Sequence, residues 1–432
     1  MRPTSCEFAD AWPRIVRALA SLTGSLDEAE EFAAEAVARA AAHDGPIESY
    51  AAWCTTVAKR AWLDQVRRTA VERRLAPELA RQLTRPTAGP TDPAGRAMAS
   101  DDPLDTSVTD ELDDRLALLF VACDDALSPT SQMVLALRVV CGLTTPEIAH
   151  HLGLKDTAAA ARLTRAKATL REARGAFRVP DPAERSARLP VVLACVAGLF
   201  TIAHRVGFEP ADAATDTGRA ALSIADALVA AHPGDLEVRG LRAVIRLGLA
   251  RRPARVDDTG TALALDEVDR SRWDRTLLTS GLADATLATR GTGRFALEAA
   301  ISGLHSSAPS FATTDWAGVC LLYDALVAVW PSPSVQVARL AARAHRLLAE
   351  GVEADDPRLR ATETELEALE VGGPAYAGRD AALTLADVAW RTGRREEAAR
   401  RYRGLAKVVE PEPVRRFCLR RAGGGDRPVE SG

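Results

Sequence analysis

A chain of 432 residues is too long for one small core and implies roughly two to four domains. Its 47% hydrophobic and 26% charged residues are those of an ordinary globular protein, which excludes a fibrous or wholly disordered chain. The net charge of −4 conceals segregated basic and acidic segments, and the seven cysteines are scattered without a Cys-x-x-Cys. That scatter argues against a zinc site or a disulfide framework and suits a reducing cytoplasm.

Taken in order, nearly every segment carries the 3.6-residue period, and none alternates as a strand does, so the expected fold class is all-α. Met1–Asp10 is polar and reads as no signal peptide. Helices are expected around Phe8–Thr23, Asp27–His43 and Ser49–Leu83, giving a first small helical domain over residues 1–83. The second of them is acidic. The third carries Lys59, Arg60, Arg67, Arg68, Arg73 and Arg74 against Asp64 and Glu72. Residues 84–110 are rich in Pro, Gly, Asp and Ser and read as a flexible linker. A compact helical block follows over 111–179, closed by Pro180-Asp181-Pro182. Residues 187–421 return to helical periodicity with turn signals such as His232-Pro233-Gly234-Asp235 and Gly372-Gly373-Pro374, and 422–432 reads as a disordered tail. The apolar run Pro190–Ala203 is too short to span a bilayer and reads as a buried helix, so no membrane is expected. Gly393, Ala398, Tyr402 and Pro411 stand at tetratricopeptide spacings over about one repeat. Stacked helical hairpins are the expected architecture of this last region.

The strongest local signal is LTTPEIAHHLGLKDTAAAARLTRAKATLREAR, residues 143–174. Thr145 is the expected N-cap with Pro146 at the first helical position, and Ile148, Ala149 and Leu152 form an inward face. Gly153 supplies the positive φ of a short turn. Asp156 is the expected cap of a second helix packed through Ala159, Leu163, Ala166 and Leu170. This reads as a helix-turn-helix, whose second helix would enter the DNA major groove, although a generic helical hairpin shows the same pattern. Its outer face offers Thr157, Ala160, Ala161, Arg162, Thr164, Arg165 and Lys167 to base edges and phosphates.

The stretch from Asp113 through this motif to Pro180 resembles region 4 of the extracytoplasmic-function (ECF) sigma factors of the sigma-70 family, in the subgroup with a long C-terminal helical, tetratricopeptide-like extension. Ala29-Glu30-Glu31-Phe32-Ala33-Ala34-Glu35 resembles the region 2 helix that docks on the polymerase clamp. Ala52–Arg60, with Leu63-Asp64 and Arg67-Arg68, resembles the helix that recognises the −10 element. The resemblance runs on through Arg251–Arg255, Asp269–Asp274 and Thr314-Asp315-Trp316. It implies two small sigma domains joined by the linker, followed by a regulatory helical domain.

From the resemblance, the partners are core RNA polymerase, through its clamp helices and flap, and promoter DNA. Glu30, Glu31 and Glu35 would share one helix face and pair with clamp arginines. Lys59, Arg60, Arg67, Arg68, Arg73 and Arg74 would hold phosphates near the −10 element, with Trp62 beside unpaired bases and Trp53 in the core. The C-terminal domain would take a regulatory protein or make an intramolecular contact. Some positions depart from the family. Ala34 replaces Gln on the clamp helix, and Ala158, Ala159 and Ala161 replace Thr, Met and Gln on the recognition helix. Thr201-Ile202-Ala203-His204 stands where relatives read Asn-Glu-Gly-Tyr.

No phosphate loop and no Gly-x-Ser-x-Gly elbow occur, and His150-His151 lacks a third ligand nearby, so no cofactor, no metal and no enzyme are expected. Two other classes remain open from the residues: a helix-turn-helix regulator with a ligand- or protein-sensing helical domain, and a helical-repeat adaptor. The expected location is cytoplasmic.

Overall fold

The computed structural model describes residues 5–82, 112–206 and 216–424, with side chains except at 5, 6, 73–82, 205 and 206. The expected linker over 84–110 and the tail beyond 424 lie outside the described residues. Those that are described form helices and turns, with no strand beyond one isolated bridge between Val256 and Ala262. The all-α expectation holds.

The chain divides into two compact units, one of residues 1–148 and 155–188, the other of residues 149–154 and 189–432. The first is built from α1 (Ser5–Thr23), α2 (Leu26–Ala41), α3 (Tyr50–Gln82), α4 (Asp114–Ala122), α5 (Pro129–Val139), the first half of α6 (Thr145–Leu152), and α7 (Asp156–Arg174). In α1, Ala11, Trp12, Ile15, Val16, Leu19 and Ala20 recur at helical spacing and are buried, forming one stripe against α2 and α3. In α4, every residue from Leu116 to Ala122 is buried, the mark of a helix enclosed on all sides. That helix packs against α1 as well as α5. Gly142, at φ +71, follows α5 where an added Cβ would stand 3.1 Å from both Phe8 and Trp12, so only glycine fits this turn.

The second unit takes most of α8 (Pro182–Val206) and then α9 (Thr217–Ala231), α10 (Leu236–Arg251), α11 (Arg275–Ala288), α12 (Arg294–Ser307) and α13 (Trp316–Val329). It continues through α14 (Pro333–Ala349), α15 (Pro357–Gly372), α16 (Ala375–Arg391), α17 (Arg395–Leu405) and α18 (Glu412–Ala422). From α9 onward these helices pack on their sequence neighbours, with α10 also against α12 and α14 against α16, as stacked hairpins do. Asp216, Asp235, Asp274, Asp315 and Asp356 each cap a helix through the side chain, and Asp235 does so from within the turn signal His232–Asp235. At the tetratricopeptide-like positions, Gly393 adopts φ +76 between α16 and α17, and Ala398 and Tyr402 are buried. The segment following α10 runs to the far end of the array. Ala262 N donates to Pro413 O at 3.0 Å, and Glu267 pairs with Arg420 at 2.6 Å and Arg421 at 3.2 Å.

The apolar run expected as a short buried helix is part of the longer α8. Within it, Pro182–His204 is long and apolar enough by length and composition to cross a membrane. Leu189, Val192, Val196 and Leu199 are nevertheless buried on one stripe, with spacings of three and four residues, as in the core helix of a globular unit.

Candidate nucleic-acid interface

The helix-turn-helix forms from local chemistry that the sequence carries, with two shifts in the caps. Thr144, not Thr145, closes α6: its amide donates to the Glu147 carboxylate at 2.7 Å while its hydroxyl accepts from the Glu147 amide at 3.5 Å. This reciprocal pair is a capping box, and it displaces Pro146 one position into the helix. Gly153 turns at φ +62. At α7 the cap position is Lys155, which makes no side-chain cap bond; Asp156 is instead the first helical residue, where its charge favours the positive end of the helix dipole. Ala159, Ala166 and Leu170 are buried as expected, while Leu163 is half-buried.

The outward face of α7 presents Thr157, Ala160, Ala161, Thr164 and Arg165 to solvent, with Arg162 half-buried. Two of these side chains are folded back onto the helix. Thr164 Oγ1 donates to Ala160 O at 3.1 Å, and Arg165 Nε donates to Ala161 O at 3.2 Å. Lys167 departs from this face. Its side chain is 10% exposed, and its Nζ lies 3.0 Å from Glu30 and 3.1 Å from Asp27 of α2.

The acidic helix α2 is divided in the same way. Glu31 and Glu35, one turn apart, are exposed, and Glu35 accepts from Arg39 at 2.6 Å. Glu30 does not share their face. At about 100° of rotation from Glu31 it turns inward, is 4% exposed, and accepts from Arg138 Nε of α5 at 2.6 Å besides pairing with Lys167. A carboxylate removed from water in this way is tolerable because two cations meet it. Arg138 also lies over the Trp12 ring, whose Nε1 donates to Arg138 O at 3.1 Å. Further ties join the same two sets of helices. Arg17 pairs with Asp114 at 3.1 Å, Arg115 pairs with Asp10, and Phe177 N donates to Gly24 O at 2.8 Å. The residues expected to meet polymerase (Glu30) and DNA (Lys167) therefore meet each other.

On α3, Arg60, Arg67 and Arg68 are exposed and Lys59 is half-buried; Arg67 stands 3.6 Å from Asp64. The side chains of Arg73 and Arg74 lie outside the described residues. Trp62 is half-buried, and its Nε1 donates in the ring plane to Glu28 of α2 at 3.1 Å. Trp53 is half-buried with its ring against His43.

Sequence reasoning missed a second ionic node. Asp124, 2% exposed, follows α4 and receives Arg174 of α7 at 2.9 Å and Arg188 of α8 at 2.7 Å. Arg188 also donates to Phe120 O at 3.1 Å. Burial acts to raise the Asp124 carboxyl. The hydrogen bonds from Arg174 and from the Ala126 amide, with the Arg188 charge, outweigh it and hold the group down at about 2. Among the described residues no group of three His, Cys, Asp or Glu side chains is placed to hold a metal, and the six described cysteines are all buried and unbridged.

The unit thus carries a helix-turn-helix with an exposed face on α7, exposed acids on α2 and exposed arginines on α3. Residues 118–170 match the family described as sigma-70, region 4, and residues 188–289 match a family of unknown function, DUF6596. An uncharacterized protein of Rhizobium meliloti (strain 1021) is 33% identical over 358 residues, covering 80% of each chain. The ECF RNA polymerase sigma factor SigG, from two strains of Mycobacterium tuberculosis, is 30% identical over 181 residues, covering 38% of this chain and 45% of SigG. No solved structure matches the chain. The chain belongs to the ECF sigma factors that carry a C-terminal extension.

Proposed function

We propose that this protein directs core RNA polymerase to specific promoters, with residues 1–83 meeting the clamp and the −10 element and residues 111–179 meeting the −35 element across the 84–110 linker. The observation that carries this reading is the exposed face of α7, where Thr157, Ala160, Ala161, Thr164 and Arg165 stand clear of the fold on a capped helix-turn-helix. Its alanines and threonines suit methyl contacts to thymine, and Arg165 suits a guanine. Glu31 and Glu35 form the polymerase-facing pair, while Arg60, Arg67 and Arg68 supply phosphate contacts. Promoter recognition of this kind involves no catalysis, no cofactor and a cytoplasmic site of action.

In this reading the Glu30–Lys167–Arg138 contact belongs to the resting protein. It opens when α2 docks on polymerase and α7 on DNA, freeing Lys167 for a phosphate. The C-terminal unit, residues 187–421, modulates that transition through a regulatory protein or an intramolecular contact. Co-purification with core polymerase tests the reading. A sigma factor co-elutes stoichiometrically, whereas a helix-turn-helix regulator binds DNA without polymerase and an adaptor binds neither.

A further inference from the structure

The C-terminal unit encloses many arginines and almost everywhere matches them with carboxylates. Asp284, 3% exposed, receives Arg239 at 3.2 Å, Arg242 at 2.7 Å and Arg246 at 2.9 Å. Arg252 lies 2.7 Å from Asp216, and Arg391 lies 2.7 Å from Asp387 and 3.0 Å from Asp266.

Arg251 and Arg270 break this pattern. Arg251 ends α10, walled in by protein but still reached by solvent, and it has no hydrogen bond or ion pair among the described residues. The groups within its electrostatic reach are the Tyr323 phenol and further bases: Arg270, Arg255, His305 and His204. Glu298, which acts on the Tyr323 phenol, is paired with Arg294 at 3.0 Å. Arg270 stands in the 3-10 turn Arg270–Arg272, over the Trp273 ring, and among the described residues donates to backbone carbonyls, those of His305 at 2.9 Å and of Ala308. Among the described residues no carboxylate offsets the enclosed Arg251 guanidinium or the half-buried Arg270, and an uncompensated charge away from water disfavours the fold. His305 responds to the surplus of positive charge. Burial, then Arg251, Arg270 and His345, push its imidazole down to about 4.

A second observation points to the same place. Arg270 lines a groove of about 710 Å³, together with Trp273, Ser306, Leu278, Arg275 and Phe311. Ser306 is 5% exposed and Trp273 7%, and neither the Ser306 hydroxyl nor the Trp273 Nε1 has a partner. Buried donors in a folded chain are almost always satisfied, so two unpartnered donors on residues lining the groove with Arg270 suit an acceptor bound there. The acids at the rim are already engaged: Asp266 with Arg391, and Asp269 with the Ser271 amide at 2.8 Å. The volume is that of a small-molecule site.

We propose that Arg270, Ser306 and Trp273, backed by Arg251, form the recognition end of a binding site for a small multivalent oxyanion, a metabolite bearing phosphate or several carboxylates. The site draws on two motifs of the sequence, Arg251–Arg255 and Asp269–Asp274, that promoter recognition leaves unused, and it stands independently of the sigma reading. Bidentate guanidinium contacts suit both oxyanion types. Filling the site removes the charge surplus and, by linkage, stabilises the unit that binds.

Isothermal titration calorimetry on the full-length protein tests this, with inorganic phosphate, pyrophosphate and citrate as probes at matched ionic strength. The expected result is saturable one-to-one binding of at least one probe, weakened at least tenfold in Arg251→Gln and in Arg270→Gln, and unchanged in Arg290→Gln, an exposed control. Preference for pyrophosphate or for citrate assigns the ligand to phosphate or carboxylate chemistry. Ser306→Ala, which deletes one hydroxyl, weakens binding two- to tenfold and serves if an arginine variant fails to fold. Absence of saturable binding by all three probes overturns the proposal, as does equal binding by Arg251→Gln, Ser306→Ala and the control.

Discussion

Replacing Lys167 by Met distinguishes two roles that predict opposite signs. If Lys167 served only DNA, the substitution would weaken promoter binding and leave polymerase affinity alone. In the structure its ammonium sits 3.0 Å from Glu30 and 3.1 Å from Asp27, with the side chain 10% exposed. Such a pair lies between exposed bridges and fully desolvated ones, so its loss costs the closed arrangement about 1–2 kcal/mol. Arg138 remains 2.6 Å from Glu30, so the carboxylate keeps one cation and the fold survives. If docking on polymerase requires opening, and the closed form dominates in solution, a 1–2 kcal/mol loss raises apparent affinity for core roughly 5–30-fold. Fluorescence titration of labelled core polymerase with the two full-length proteins reads this ratio directly. Unchanged or weaker affinity in Lys167→Met would refute the reasoning and return Lys167 to the DNA face alone.

Three further outcomes follow from the same geometry. Reversing Glu31 and Glu35 to Lys should reduce core binding at least about thirtyfold with an unchanged circular dichroism spectrum, since on the proposed docking each exposed carboxylate supplies one charge-paired contact of about 1–3 kcal/mol; undiminished co-elution would remove them from the interface. Arg165→Ala should cost about 1–3 kcal/mol at the −35 element and relax its sequence preference, whereas Lys59→Ala should weaken all promoters alike and reduce the salt slope by about one unit; footprinting at several salt concentrations separates the two. Asp124, held at about 2 in the fold and near 3.9 when unfolded, contributes stability that is present above pH about 4 and lost as the pH falls toward 2. Asp124→Asn should therefore flatten the acid limb of unfolding in that window, and an identical limb in both proteins would contradict the Arg174–Asp124–Arg188 node.

The helix-turn-helix was legible because its signals are local: Pro146, Gly153 and the apolar period specify two short helices and a turn without reference to the rest of the chain. Its cap was misplaced by one residue because Thr144 and Thr145 are both good caps, and only Glu147, three residues after Thr144, selects the first. Glu30 was grouped with Glu31 and Glu35 because adjacent acids look alike in sequence. What turns it inward is a pair of cations on α5 and α7, far along the chain. The pairing of Lys167 with Glu30 and Asp27 is equally invisible in sequence. In the C-terminal unit the turn signal ending at Asp235 marks a helix start, but the uncompensated Arg251 is invisible. In an arginine-rich chain no single arginine stands out until the fold shows which ones lack a carboxylate.

The central claim, that this chain recruits polymerase to promoters, is tested most directly by run-off transcription with purified core enzyme on the DNA upstream of its own coding sequence. The account predicts a discrete transcript that requires the full-length protein, falls with Glu31→Lys/Glu35→Lys and loses −35 discrimination with Arg165→Ala. Stoichiometric core binding without any promoter-dependent transcript, or DNA binding with no effect of core polymerase, would contradict it.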